Sequence, residues 1–253
     1  MLRVFLSGQL AVEAADGRRK AGRDFPGRQG REAFAFLVLR GGMPVSRSEL
    51  IGALWRGEPP AAVDSALNSV VSKLRRLVSE LGLDGGRVLR FSDGCYELVL
   101  PAGTWVDHSA AFASIHEAET ALKAGDPRAA YGPSAVARQI CGRPFLPGSE
   151  AEWIEARRTQ LRRLLVRALE CRSAVYLWNG EHAFAVDTAR EAVSIAPFRE
   201  SSYRLLMEAH AAAGNTAEAL RVYEQCRELI SEELGVSPSQ ETREVHRRIL
   251  DAL

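Results

Sequence analysis

The residues best placed to do chemistry lie between Ser65 and Arg76. Read as a helix at about 100° per residue, the segment SALNSVVSKLRRLVSELG sets Ser65, Ser69, Ser72 and Arg76 along one line. Asn68 and Arg75 stand on one flank of that line and Lys73 on the other. Leu67, Val70, Val71, Leu74, Leu77, Val78 and Leu81 make the opposite, apolar stripe. Side chains as short as Ser let a helix approach a DNA duplex closely, while Lys and Arg reach outward to phosphates and guanine edges. The chemistry on offer is recognition. A solvated surface helix with i,i+4 charges has a similar composition, so the helix alone does not decide between the two, and its neighbours must.

Catalysis finds no comparable foothold. The chain has no GxxxxGK loop, no GxSxG elbow and no HExxH pair, and His108, His116, His182, His210 and His246 are scattered through helical pattern. Cys95, Cys141, Cys171 and Cys226 are far apart, without a CxxC pair or a histidine at ligand spacing, which predicts free thiols, no metal and no cofactor. The protein is not expected to be an enzyme. Its first residues alternate (Val4, Leu6, then Leu10, Val12) around Gly8 and Gln9, the pattern of strands rather than a leader peptide. No run approaches the roughly 20 apolar residues of a membrane span, so a cytoplasmic protein without a membrane partner is expected.

The elements that must position the basic helix can be read on either side of it. Residues 2–25 predict two or three short strands, the last two joined at Asp16-Gly17. Gln29 to Arg40 is apolar nearly all round and predicts a buried helix ended by Gly41, Gly42 and Pro44. Ser46 and Glu49 form a capping box for the next helix, with Leu50, Ile51, Leu54 and Trp55 inward. After a Pro59-Pro60 break and the basic helix come RVLRF, the turn at Ser92 to Cys95, and YELVL, a hairpin. Three helices followed by a hairpin, behind a small sheet, describe a winged helix-turn-helix with the basic helix in the recognition position.

From Val106 onward the pattern is almost wholly helical, broken at Gly125 to Pro127, Cys141 to Ser149, Asn179-Gly180, Pro197, Gly214-Asn215 and Gly235 to Pro238. Gly180 and Ala185 recur 34 residues later as Gly214 and Ala219, and Ala189 and Ala192 correspond to Tyr223 and Cys226. This is tetratricopeptide spacing. Residues 1–103 hold 15 Lys and Arg against 11 Asp and Glu, whereas the rest hold 18 against 21. The sign change coincides with Pro101-Ala102-Gly103, which sets the expected boundary between a DNA-binding domain, 1–103, and a helical-repeat domain, 104–253. The fold class is mainly α with a small β component: an N-terminal winged helix-turn-helix followed by an all-α, tetratricopeptide-like domain. The Arg-rich run at Arg157, Arg158, Arg162, Arg163 and Arg167 is interleaved with Glu150, Glu152, Glu155 and Glu170 and reads as a salt-bridged helix rather than a second nucleic-acid patch.

Nearly the whole chain resembles the Streptomyces antibiotic regulatory proteins, which join an OmpR-type winged helix to a bacterial transcriptional activation domain. The motifs that carry the resemblance are RVFLSGQLAV, VSRSELIGALW with its Pro-Pro break, ALNSVVSKLRRLVSELG, LPAGTWVD, GRPFLPGSEAEWIEARRTQLRRLLVRALE and the run from AVDTAREAV to GVSPS. Their order and spacing are specific in combination, and the chain looks like the short, two-domain form. The resemblance implies an activator that binds direct repeats near the −35 promoter element, as a homodimer on double-stranded DNA, and recruits RNA polymerase holoenzyme through its sigma subunit. Carried over, Lys73, Arg75 and Arg76 take the basic positions of the recognition helix, while Arg90 and Ser92 lie in the wing; with Asn68, Ser69 and Ser72 they make the expected DNA-binding set. The family has an aromatic residue near Val70 and adjacent Gly and Tyr in the wing, whereas here Cys95 separates Gly94 from Tyr96. The alternative is a regulatory adaptor whose helical repeats bind a protein or small ligand and whose winged helix has little DNA affinity.

Overall fold

The computed structural model describes residues 1–252 apart from Arg56 and Glu58. It divides into two compact units, Met1–Ala110 with Arg143–Thr159, and Ala111–Gly142 with Gln160 onward.

The first unit opens with three short strands, β1 (Arg3–Phe5), β2 (Ala11–Glu13) and β3 (Arg19–Ala21). There follow α1 (Gly27–Leu39), β4 (Val45–Ser46), α2 (Arg47–Trp55), α3 (Val63–Glu80), the single turn α4 (Gly85–Val88), β5 (Leu89–Ser92), β6 (Cys95–Leu98) and β7 (Trp105–Val106). One sheet has the order β3-β2-β1-β7 and the other β4-β6-β5. The apolar stripe of α3 is the reason the helix sits where it does. Leu67, Val71, Leu74, Leu77, Val78 and Leu81 are buried, in a core that also holds Phe34 and Leu37 of α1 and Leu50 and Leu54 of α2. Val70 is only half-buried.

Several expectations shift. The first helix starts at Gly27 and ends at Leu39, two residues early and one short. Only half of the capping box forms: Ser46 Oγ accepts the Glu49 N–H at 3.1 Å, but the Glu49 carboxylate pairs with Arg40. Ile51 and Trp55 are half-buried rather than inward. Arg87 and Val88, expected at the start of a strand, form α4 because the Asp84 carboxylate accepts the N–H groups of Gly86 and Arg87 at 3.0 Å.

The largest difference concerns the boundary expected at Gly103. Beyond it, β7 returns to the first sheet and pairs in parallel with β1, Arg3 opposite Trp105 and Val4 opposite Val106. The Asp107 carboxylate then accepts the N–H groups of Leu6 and Ser7 at 2.9 and 2.8 Å. Residues 143–159 come back as well. Phe145 is buried, Trp153 packs edge-on against Phe36 at 5.1 Å, and Trp153 Nε1 donates to the Ala53 carbonyl at 3.1 Å. Arg158 fixes that segment by donating to the carbonyls of Phe145 and Leu146.

The second unit is built from α5 (Asp107–Lys123), α6 (Pro127–Cys141), α7 (Glu152–Trp178), α8 (His182–Ile195), α9 (Glu200–Ala212), α10 (Thr216–Leu234) and α11 (Gln240–Asp251), the first and third of which begin in the first unit. The repeat has a common hinge. At Gly180 and Gly214 φ is 75° and 76°, a left-handed conformation that favours glycine. Each glycine N–H reaches the carbonyl three residues back, and the following N–H reaches the carbonyl five back: Glu181 to Tyr176 and Asn215 to His210, both at 2.9 Å. Gly125 makes the same turn, with Asp126 bonded to Ala121 at 2.9 Å. Its distance from Gly180 is not 34 residues, so sequence periodicity misses it. Ala185, Ala189, Ala192, Ala219 and Cys226 are buried where paired helices meet. Among the described residues, no helix is long and apolar enough to cross a membrane and no cluster of side chains could hold a metal ion.

Candidate nucleic-acid interface

Asn68, Ser69, Ser72, Lys73 and Arg76 are all exposed on α3, opposite its buried stripe. The hairpin presents Arg90 and Ser92, also exposed, across a two-residue loop. In that loop Asp93 and Gly94 have φ of 51° and 76°; two successive left-handed residues between the paired Ser92 and Cys95 make the tight turn that suits the right-handed twist of a hairpin. Phe91, exposed near the loop, lies 4.6 Å from the Tyr96 ring and adds an apolar surface that the sequence reading did not single out.

The basic side chains are not equivalent. Lys73 has no ion-pair partner among the described residues, which leaves its ammonium free for phosphate. Arg76 lies 3.4 Å from the Glu80 carboxylate, whose nearer partner is Lys20 at 2.6 Å; that ammonium holds the Glu80 carboxyl below its usual range. Arg90 Nε donates to the Arg87 carbonyl at 2.8 Å, which holds its stem against α4. Arg75 stands apart. It is half-buried, and its Nε donates to the Leu89 carbonyl at 2.9 Å, so its guanidinium ties α3 to the start of the β5–β6 hairpin.

Arg47, which the sequence reading passed over, joins α2 to both α3 and the β5–β6 hairpin. Its backbone N–H donates to the Gly94 carbonyl in the β5–β6 turn at 3.1 Å. Its guanidinium donates to the Asp64 carboxylate at 3.0 and 2.8 Å, to the Asp64 carbonyl at 3.2 Å, to Asn68 Oδ1 at 3.3 Å and to Tyr96 Oη at 2.9 Å. An arginine in the first turn of a helix is ordinary in sequence, and its partners lie 17 to 49 residues away. Only the acidic Asp64 just ahead of the recognition segment could have hinted at it.

Other polar centres are structural. Ser7 Oγ and His108 Nε2 are 3.1 Å apart, and Asp107 adjoins them, but Asp107 bonds the His108 backbone N–H rather than its ring. Burial, with Arg157 as a second positive influence, pushes the His108 imidazole down to about 4, while burial raises the Asp107 carboxyl. The three do not form a nucleophile, base and orienting acid in sequence. Burial also pushes the Cys171 and Cys226 thiols up to about 12 and 11, which keeps them as unreactive thiols. In the second unit an open groove of about 560 Å³ is lined by side chains of α7, α9 and α11, among them Glu170, Arg204, Glu208 and Arg248. Its charges are largely used internally: Arg248 pairs with Glu208 at 2.8 Å, Arg204 donates to Thr242 at 3.0 Å, and Glu170 accepts from Arg199, Ser201 and Ser202.

Residues 106–250 match the family model described as the bacterial transcriptional activator domain. The chain is 34% identical over 224 residues to the regulatory protein AfsR of Streptomyces coelicolor, covering 88% of this chain and 22% of that one. It is 28% identical over 222 residues to the transcriptional regulatory protein EmbR of Mycobacterium tuberculosis, covering 87% of this chain and 57% of that one. It thus spans about a fifth of one relative and little more than half of the other. A solved structure of Mycobacterium tuberculosis EmbR in complex with a low-affinity phosphopeptide superposes with a TM-score of 0.86 at 25% identity, over 99% of this chain and 65% of that one.

Proposed function

This chain belongs to the bacterial transcriptional activator domain family, as a transcriptional regulator of the Streptomyces antibiotic regulatory protein type, and on that premise we propose that it activates transcription by binding promoter DNA near the −35 element and recruiting RNA polymerase. Its relatives are transcriptional regulatory proteins rather than enzymes. The observation that carries the DNA-binding reading is the exposed row Asn68, Ser69, Ser72, Lys73 and Arg76 on α3 beside a wing that exposes Arg90 and Ser92. In this reading residues 1–103 form a winged helix-turn-helix, α3 enters the major groove, and Lys73 and Arg90 hold phosphates. Arg75 supports the wing. Residues 104–253 supply the polymerase contact, through its sigma subunit, and a homodimer occupies direct repeats.

The test measures affinity for promoter duplex with and without polymerase holoenzyme. Binding should weaken steeply with salt, as phosphate contacts require. A polymerase contact worth about 1.4 kcal/mol raises occupancy tenfold when occupancy is low, and the coupling is reciprocal, so holoenzyme should tighten the protein's own grip on DNA by the same factor. Equal affinities with and without holoenzyme, and no rise in transcription in a purified system, would rule out activation. Failure to retain any duplex even at low salt would favour the adaptor alternative.

A further inference from the structure

Asn68 has a side chain whose two ends do opposite things. Its amide oxygen only accepts hydrogen bonds and its amide nitrogen only donates. Arg47 Nη1 lies 3.3 Å from Asn68 Oδ1, and a guanidinium has no acceptor, so the amide can face Arg47 with its oxygen alone. The Asn68 NH2 group is thereby turned away from Arg47, on the exposed face of α3 that also carries Ser69, Ser72 and Lys73. Arg47 cannot easily release it. The same guanidinium is held by the Asp64 carboxylate through two nitrogens and by Tyr96 Oη, and its backbone by the Gly94 carbonyl in the wing turn.

We infer that Arg47 is a positioning residue that locks the Asn68 amide with its NH2 outward, making Asn68 a donor to a hydrogen-bond acceptor on DNA. A free asparagine can flip to suit either adenine or an amino donor, and its usual readout of adenine uses both ends of the amide at once. A locked one selects acceptors: a purine N7, guanine O6, thymine O4 or a phosphate oxygen. It disfavours the cytosine amino group, which donates. The inference rests on α3 being the DNA-reading helix, and it assigns both the polarity of one contact and the residue that sets it.

The experiment uses the full chain and a duplex selected by that chain from a randomised pool. Affinities are measured for the unaltered protein, Lys73→Ala, Asn68→Ala, Asn68→Asp, Arg47→Met and the double variant Arg47→Met/Asn68→Ala, with thermal unfolding of each followed by circular dichroism. Asn68→Ala should weaken binding about tenfold. Asn68→Asp, which keeps an oxygen for Arg47 but turns a second one outward, should weaken it further. Arg47→Met should lose most of what Asn68→Ala loses, and little more in the double variant, because the two act through one contact. Single base-pair substitutions across the duplex identify the acceptor: a base edge confines the Asn68 effect to one position, and a phosphate spreads it over all sequences.

If the Arg47 and Asn68 losses simply add, or if Asn68→Asp binds as well as Asn68→Ala, the inference is overturned while the interface reading stands. Should Arg47→Met fail to fold, the comparison of Asn68→Asp with Asn68→Ala alone decides. If no duplex is selected, or Lys73→Ala binds as tightly as the unaltered chain, the reading of α3 as the DNA-binding helix falls and this inference with it.

Discussion

Among the arginines of α3 and its surroundings, residue type says little and partner says much. Arg75 and Arg76 are adjacent and chemically identical, yet Arg75 is bonded to the Leu89 carbonyl and Arg76 stands 83% exposed beside Glu80. Arg75→Ala should therefore act on stability, lowering it by about 1.5 kcal/mol, the usual worth of a hydrogen bond with a charged donor, and leave the ratio of affinities for selected and scrambled duplex unchanged. Arg76→Ala should do the reverse. Thermal unfolding and a binding titration on both duplexes check the pair, and a specificity loss confined to Arg75→Ala would contradict the assignment. The sequence displayed Arg76 on the centre line of the polar face and Arg75 on its flank, both as basic positions of one recognition helix. What separates them is a carbonyl 14 residues away, which helical periodicity does not encode. His108 is a second case where burial decides. An unfolded imidazole titrates near 6.5, and in the folded chain burial and Arg157 bring His108 to about 4. A base depressed in this way contributes stability that is present in full above about pH 6.5 and lost as pH falls through about 4, of order 3 kcal/mol for that difference. Asp107, raised by burial, contributes with the opposite sign, losing its share as pH rises through its folded value. The His108 ring resonance should titrate near pH 4 by NMR, and a midpoint near 6.5 would show the ring to be solvated.

At the scale of elements, what the sequence displayed depends on how local the cause is. The β5–β6 hairpin turn was legible because Asp93-Gly94 carries its own conformational requirement, and the hinges at Gly180 and Gly214 for the same reason. The helices from α5 to α11 were legible through their apolar periods and their breaks. The two-residue strands β4 and β7 were not, since Val45 finds its partner at Tyr96 and Val106 finds its partner at Val4. The turn α4 was also hidden, although it connects α3 to the β5–β6 hairpin. Gly85 shows how tightly. A Cβ there would stand 2.2 Å from the Arg75 carbonyl oxygen, a backbone atom that cannot rotate away, while at the neighbouring Gly86 the nearest atom is Asp84 Oδ1 at 3.4 Å. Gly85→Ala should force α4 away from α3 and destabilise the protein by about 2–3 kcal/mol, as overpacking does, whereas Gly86→Ala should change stability by less than about 0.5 kcal/mol, as surface substitutions do. Denaturant unfolding of the two variants distinguishes them, and equal midpoints would mean that α4 is not pressed against α3.

For the whole molecule, chain order and compact units do not coincide. The charge balance and Pro101-Ala102-Gly103 marked a boundary that is visible in the sequence, because both are local compositional signals. The return of residues 105–107 and 143–159 to the first unit was not visible, because it depends on which side chains fill the gaps between α1, α2 and the N-terminal sheet. A fragment cut at Gly103 loses strand β7 from the edge of β1, the Asp107 carboxylate from the Leu6 and Ser7 N–H groups, and both Phe145 and Trp153 from the aromatic cluster with Phe36. Removing one buried aromatic side chain costs about 3–5 kcal/mol, against a total stability of roughly 5–15 kcal/mol for a domain. Phe145 is buried and Trp153 half-buried, so losing the first in full and the second in part removes a large share of what holds the unit folded. The expected outcome is that a 1–103 fragment retains helical signal from α1 and α3 but unfolds without a cooperative transition, and binds the selected duplex far more weakly than the full chain at equal salt. A Trp153→Ala substitution in the full chain, which leaves the backbone of 143–159 in place, should lower the unfolding midpoint without abolishing cooperativity. Circular dichroism melts of the fragment, the variant and the intact protein make the comparison. A cooperative melt of the 1–103 fragment close to that of the full chain would show that α1, α2, α3 and the wing form a sufficient core on their own, and that the returning segment is a passenger on it.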